Sequence, residues 1–416
     1  MSVRRRADLR AWHICLAMNL LAWPGVAQAQ NNVGTGPLTV TLADTEPTVG
    51  AFSLGPVRVA PGITVREIGT TSNVFDEATD PKDDFVASGT PDLAAYAQLG
   101  WLKISAYGGV ELTYYRTYVS ERSVGYAGRA RMDLLLSRLR PFVAGGQTKT
   151  RERANGEIDT RAERLETEQS GGLAFAVSEH STGYISAVRL TTAFSDALDS
   201  GVNLGASLNR DSDDFNLGFQ AALTPLTTLT LRGGYTRDLF HDSPERNADT
   251  RYINAAFAFA PEAALNGSIT VGYADFVAVD PLIVPYRGLT AAGGVTIPFG
   301  EIGRLRFTVG RGPRYSFDTT EAYYRETTLG LMYTHRIVGA VDVQVSGSRS
   351  LFNYGNRAGS GDRQDHLDLV AGGLGYNLRN RSRVALTYEY GLRRSPELAE
   401  RNYDRRRVFL SWTYAL

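Results

Sequence analysis

The chain has 416 residues, with 44 Lys plus Arg against 44 Asp plus Glu, 43 Gly, 21 Tyr and one Cys. A hydrophobic fraction of 43% is too high for a solvated coil, and the balanced charge leaves no basic footprint for nucleic acid. Beyond the N-terminal leader, no segment approaches the ~18 uninterrupted apolar residues of a membrane-spanning helix.

At the N-terminus, Arg4, Arg5, Arg6 and Arg10 precede the apolar run Ala11–Trp23 and the small-residue site Ala27-Gln28-Ala29. That three-part layout predicts a signal peptide over 1–29, cleaved before Gln30. Cleavage leaves 40 basic and 43 acidic residues, a net charge of −3, and removes Cys15. Without a thiol, disulfides, thiolate metal centres and cysteine nucleophiles are all excluded.

Residues 30–56 read as a loop-like periplasmic extension rich in Gly, Pro and Thr. From 57 to 416 the pattern is alternation of period two. Leu102, Ile104, Ala106, Val110, Leu112 and Tyr114 interleave with Lys103, Ser105, Glu111 and Thr113, which predicts the two faces of one strand. Val341, Val343 and Val345 against Asp342, Gln344 and Ser346 repeat it.

Short turns are predicted near Gly100, Arg138, Glu179, Thr224-Pro225, Pro261-Glu262, Phe299-Gly300, Val338-Gly339 and Arg379-Asn380. Longer polar connections fall between them, the first over Thr71–Gly89. A propeller shares the period of about 40 residues, but its blades hold four short strands; here each period holds two long ones. Long alternating strands with short turns on one side and longer loops on the other predict a transmembrane β-barrel. The expected fold is all-β, an antiparallel up-and-down barrel of about eighteen strands. Sixteen is the count if a pair such as the Thr71–Pro91 hairpin is irregular. Only a closed sheet satisfies every backbone donor in lipid, so the expected location is the cell outer membrane.

The last strand alternates Val408, Leu410, Trp412, Tyr414 and Leu416 with Arg407, Phe409, Ser411 and Thr413. This resembles the C-terminal insertion signal of bacterial outer-membrane proteins and implies the barrel-assembly machinery as a partner. The order differs from the usual terminal Phe or Trp, because the chain ends on Leu416.

Thr71-Ser72-Asn73-Val74-Phe75, followed by Asp76, Glu77, Asp80, Asp83 and Asp84, resembles the opening hairpin of the family described as "Putative beta-barrel porin 2". The clusters Asn209-Arg210-Asp211, Arg246-Asn247-Ala248-Asp249 and Arg401-Asn402-Tyr403-Asp404 are similar to its strand re-entry segments. The resemblance spans roughly 57–416. It implies no enzyme activity and no settled substrate, and it implies a neighbourhood of exopolysaccharide export genes; no cofactor is expected.

No His pair has metal-ligand spacing. Ser178-Glu179-His180-Ser181 reads as a capped turn, and His241-Asp242-Ser243 is an adjacent set of a kind that does not assemble a triad. Paired glycines such as Gly108-Gly109 and Gly372-Gly373 lie within strands, where no helix follows to bind phosphate. On the polar faces, Lys103, Glu111, Arg131, Asp133, Arg189, Arg232, Arg304, Arg306, Asp342, Arg383 and Glu389 are expected to face the lumen. Charge of both signs at membrane depth needs a wet or internally paired interior. A girdle is expected from Tyr114, Tyr115, Tyr118, Tyr252, Tyr323, Tyr324, Tyr388, Tyr390, Trp412 and Tyr414.

The function these features predict is a pore for passive passage or export of a hydrophilic solute or polysaccharide, in contact with outer-membrane lipid. The alternative is a non-conducting scaffold for a surface-polymer assembly, worked by its external loops. An open lumen and a plugged one, and the oligomeric state, stay undecided by sequence.

Overall fold

The computed structural model describes residues 52–260, 263–300, 302–358, 361–378 and 382–415. The expected signal peptide, most of the expected extension, Pro261-Glu262, Arg379-Asn380 and Leu416 lie outside them.

Period-two sequence becomes long strands. The chain runs through β1 (Phe52–Leu54), β2 (Val57–Thr71), β3 (Asp84–Leu99), β4 (Leu102–Tyr115), β5 (Ser123–Leu134), β6 (Leu139–Glu152), β7 (Ala162–Ser178) and β8 (Ser181–Phe194). The short pair β9 (Leu198–Asp199) and β10 (Val202–Asn203) and the helix α1 (Leu204–Leu208) interrupt the series. It resumes with β11 (Arg210–Thr224), β12 (Thr227–Phe240), β13 (Ala248–Phe259), β14 (Asn266–Ala278), β15 (Tyr286–Phe299) and β16 (Gly303–Tyr315). It ends with β17 (Tyr323–Val338), β18 (Val341–Asn353), β19 (Gln364–Leu378), β20 (Ser382–Arg394) and β21 (Tyr403–Ala415).

Among the described residues, β2–β8 and β11–β21 form an eighteen-stranded antiparallel barrel, each strand paired with the next in sequence. β2 closes it by pairing with β21, Gly62 opposite Ala415 and Thr71 opposite Arg407. Closure removes the sheet edges that lipid would leave unpaired. β1 folds back on the start of β2, Leu54 opposite Val57.

The two faces separate by chemistry. On β4 the outer residues Val110, Leu112 and Tyr114 are exposed, whereas Lys103 and Tyr115 on the other face are buried. On β21, Val408 and Leu410 point outward at 44% and 46% exposure, and Phe409 between them is buried inside. The outer band also carries Leu217, Leu231, Ile253, Leu289, Leu331 and Val370.

Among the described residues, short turns such as Leu99–Leu102, Leu134–Leu139, Ser178–Ser181, Thr224–Thr227 and Val338–Val341 mark one end of the barrel, and the longer loops mark the other. At one turn Ser178 Oγ lies 2.7 Å from Ser181 Oγ and accepts from the His180 backbone at 3.2 Å. At the loop end, Ser243 Oγ donates to the Ala206 carbonyl at 2.8 Å while His241 faces Asp211 at 3.6 Å.

The aromatic residues divide. Tyr114 and Tyr388 face outward, but Tyr252, Tyr323, Tyr324 and Tyr115 are buried inside and belong to no girdle. Tyr126, Tyr273, Tyr333 and Tyr376 take outer positions instead. The reason is that the loop ends of several strands fold over internal apolar clusters, which recruit the inward tyrosines: Tyr252 and Tyr323 in one, Tyr115 in a second and Tyr324 in a third.

Candidate functional site: the barrel lumen

The loop end of the lumen is filled. The β6–β7 loop (153–161) turns inward and brings Glu157 and Ile158 to nearly complete burial. Asn155 Oδ1 shapes this turn by accepting from the Glu157 and Ile158 backbone at 2.8 and 2.9 Å. The Glu157 carboxylate receives a hydrogen bond from the Phe317 backbone at 3.2 Å and one from Ser316 Oγ at 2.5 Å. Arg401 donates to the Glu157 backbone carbonyl, and Arg393 pairs with Asp159 at 2.8 Å. One loop is thereby fastened to two others and to β20.

Beside it, Ile158, Phe194, Leu204, Leu208, Phe240, Phe276, Tyr315, Phe317 and Tyr323 form an apolar cluster. Pairing of β15 with β16 stops at Ala291 opposite Arg311. Beyond that point the β16–β17 tip leans inward, where Tyr315 donates to Asp238 at 2.8 Å and packs edge-on against Phe240 at 4.8 Å.

The Asn73-Val74-Phe75 element has a clear structural part. Asn73 Oδ1 accepts from the Glu77 backbone at 3.0 Å, and its amide donates back to the Glu77 carbonyl at 2.8 Å. Val74 packs against Val86 and Tyr115, and Phe75 meets Tyr118 edge-on. This positions Asp76 inside the mouth, where Arg405 and Arg153 bind it at 2.9 and 3.0 Å. Asp84 is likewise buried and accepts from the Thr117 and Tyr118 backbones. The early acidic residues are therefore partly inside the mouth, not wholly a solvated loop.

Below the plug lies a cavity of about 260 Å³ bounded by β2, β6, β16–β19 and β21. Its charges are paired. Arg66 meets Glu111 and, at 3.3 Å, Glu152; Arg407 meets Glu67 and, at 3.3 Å, Glu389; Arg314 meets Glu326 at 2.8 Å. Arg66 and Glu67 are neighbours in sequence yet both point inward, because the β2 register slips between Val65 and Glu67 against β3. Such a bulge re-aims one side chain. On the far wall Arg232 pairs with Asp214 at 2.8 Å, and Tyr252 donates to the same carboxylate at 2.8 Å.

The turn end differs. Its inner face carries Arg58 on β2, Lys103 on β4, Arg131 and Asp133 on β5, and Arg140 on β6. Arg304, Arg306, Arg336, Asp342 and Arg383 follow on β16, β17, β18 and β20. Arg131 pairs with Asp133 and Arg383 with Asp342, each at 2.6 Å. Gly375 permits the second pair, since a Cβ there would sit 2.3 Å from the Arg383 guanidinium and 2.6 Å from the Asp342 carboxylate.

Of the sequence-selected set, the register puts Lys103, Glu111, Arg131, Asp133, Arg232, Arg304, Arg306, Asp342, Arg383 and Glu389 on the inner face. They occupy two levels and do not converge on one point. Arg189 is a correction. It lies on the outer face of β8, 53% exposed, and pairs with Asp211 at 3.0 Å and Asp213 at 3.7 Å on β11. The inner positions of that stretch, Val188 and Leu190, share their face with the buried Thr192 and Phe194, so the usual contrast between faces is inverted there. Of the insertion-signal residues, Val408 and Leu410 are outward, Trp412 and Tyr414 share their face by register, and Trp412 donates to Ser382 at 2.6 Å.

A closed sheet with an apolar outer band and a charged interior defines an outer-membrane β-barrel protein. The family model "Putative beta-barrel porin 2" matches residues 48–415, and the chain belongs to that family. None of the curated proteins matches it. Among solved structures, it is similar to OccK2 (OpdF) of Pseudomonas aeruginosa at 12% identity and a TM-score of 0.50, covering 86% of this chain and 98% of that one. It is also similar to a BenF-like porin from Pseudomonas fluorescens Pf-5 at 12% identity and a TM-score of 0.49, covering 86% and 99%. The likeness to OccK2 (OpdF) shows the fold alone. Family and fold are those of channel proteins, and the location is the outer membrane.

Proposed function

We propose that this protein is a pore for passive passage or export of a hydrophilic solute across the outer membrane. The observation that supports it most is the exposed charge inside the turn end, where Arg140, Arg304 and Arg336 stand open to the lumen. Unpaired charge at that level requires water. Export of a polysaccharide is the finer form of this reading, with the last strand recognised by the barrel-assembly machinery. The experiment is conductance of the purified barrel in a planar bilayer. Discrete current steps are expected with mild anion preference, and Arg304→Glu with Arg306→Glu should move selectivity toward cations while leaving insertion unchanged. A folded barrel without steps overturns the pore and promotes the scaffold reading, which the apolar cluster within the mouth favours.

The plug adds a pH dependence. Burial pushes the Glu157 carboxyl above the ordinary glutamate value of 4.5, with Arg401 opposing the rise. Arg363 opposes it too, as do hydrogen bonds from Ser316 and Phe317. Burial raises the Asp159 carboxyl likewise, against Arg393 and Arg401. An acid raised in the docked loop binds its proton more tightly there than in a withdrawn one. Its contribution to docking is complete below pH 4.5 and fades as pH rises through the docked value. Conductance should therefore fall on acidification from neutral pH, and Glu157→Gln should flatten the profile. Conductance that climbs on acidification would contradict this assignment.

A further inference from the structure

Most cations on the inner face toward the loop end sit in ion pairs, Arg129 at mid-height on β5 being exposed without one, whereas a group at the turn end has none. In the upper and middle lumen Arg66, Arg153, Arg232, Arg314, Arg405 and Arg407 all sit within 3.3 Å of a carboxylate. At the turn end, Arg140, Arg304, Arg306 and Arg336 have no carboxylate within ion-pair distance among the described residues, and all but the half-buried Arg306 are exposed. Among the described strand residues on the inner face at that level, the carboxylates Asp133 and Asp342 are held by Arg131 and Arg383.

The four also have an arrangement. Arg304 and Arg306 stand on β16 and Arg336 on the adjacent β17, all at the last rungs before the turns. Arg140 is on β6, nine strands away in an eighteen-stranded barrel, on the opposite wall. The inner positions of the intervening β8, β13, β14 and β15 near their turns are uncharged, as with Tyr184, Ala256, Ala258, Ser268 and Thr296. Like charges that face one another across a mouth repel, and low-dielectric walls focus their field onto the opening. Among the described residues these four make no ion pair within the mouth. A solute that bridges the two walls with several negative charges relieves the repulsion.

We propose that the turn-end mouth is a binding vestibule for an elongated solute bearing repeated negative charges, carboxylate or phosphate, which enters the lumen from the turn side. This rests on the pore reading for its direction of travel. Arg guanidinium groups suit either oxyanion through paired N–H donors. The neutral arc between β8 and β15 leaves room for the uncharged backbone of such a solute.

The test is equilibrium binding to the purified, folded barrel, which needs no conduction. Hexagalacturonate and tripolyphosphate serve as the carboxylate and phosphate probes, with maltohexaose as the neutral control. Binding of either anion, weakened at least tenfold between 0.05 and 0.5 M salt and absent for maltohexaose, is the expected result, and the preferred anion assigns the class. Arg140→Glu with Arg336→Glu should lose at least tenfold in affinity, whereas Arg140→Lys with Arg336→Lys should keep most of it. Salt dependence of the wild-type protein decides the matter if the reversed variant does not fold. In bilayers the bound anion should block current only from the turn side. A barrel that conducts but binds neither anion, or binds maltohexaose equally, overturns the vestibule. One that binds yet never conducts overturns the pore alone.

Discussion

Leu410→Arg is expected to prevent assembly of the barrel. Leu410 lies on the outer face of β21, between Val408 and Trp412, at the strand that closes the sheet. An Arg at the bilayer midplane costs about 2–4 kcal/mol, a large part of a typical net stability of 5–15 kcal/mol. The neighbouring Ser411→Arg points into the lumen and should insert normally, so the pair separates face from mere charge. Heat-modifiable migration and outer-membrane fractionation read the outcome. Trp412→Asp should act in the same direction, losing the bond to Ser382 as well. A normally assembled Leu410→Arg barrel would mean that the outer face has been misassigned.

Replacing residues 154–160 by a short Gly-Ser linker is expected to raise conductance several-fold. The excision removes Ile158 from the apolar cluster and takes from Arg393 and Arg401 their partners at Asp159 and Glu157. Breaking a buried pair from one side costs about 3–5 kcal/mol, so a lower melting temperature should accompany the wider channel. An unchanged conductance would show that the narrowest passage lies elsewhere in the lumen.

Facing could be read from sequence where one rule governs the whole strand. β4 keeps one alternation from Leu102 to Tyr114, because lipid lies outside and polar lumen inside along most of its length. β8 does not. Its loop end carries Arg189 outward and Val188 and Leu190 inward, and a count of apolar residues returns the wrong face. The β2 bulge left a trace, since Val65 and Ile68 share the outer face three positions apart. A strict two-residue rule assigns Arg66 and Glu67 to opposite sides and so misplaces one of them. Glu157 left no trace. Its burial depends on Ser316 and Arg401, 159 and 244 residues away, and a loop has no period to reveal such partners.

The bulge has a consequence for the order of assembly. Pairing across the β2–β21 seam covers only Gly62–Val65 and Ile68–Thr71 of β2, whereas β2 and β3 pair from Val57 to Thr71 with a smaller slip. The seam joins segments more than 300 residues apart, so it forms at the highest loop-closure cost in the molecule. Arg407–Glu67 and Arg405–Asp76 lie at this join, linking β21 to β2 and to the loop that follows β2. They act as a latch: every other hairpin can zip from its own turn, while this one waits for both ends of the chain and is then held by charge as well as by backbone. Weakening the latch should slow completion of the barrel before it changes anything the finished barrel does.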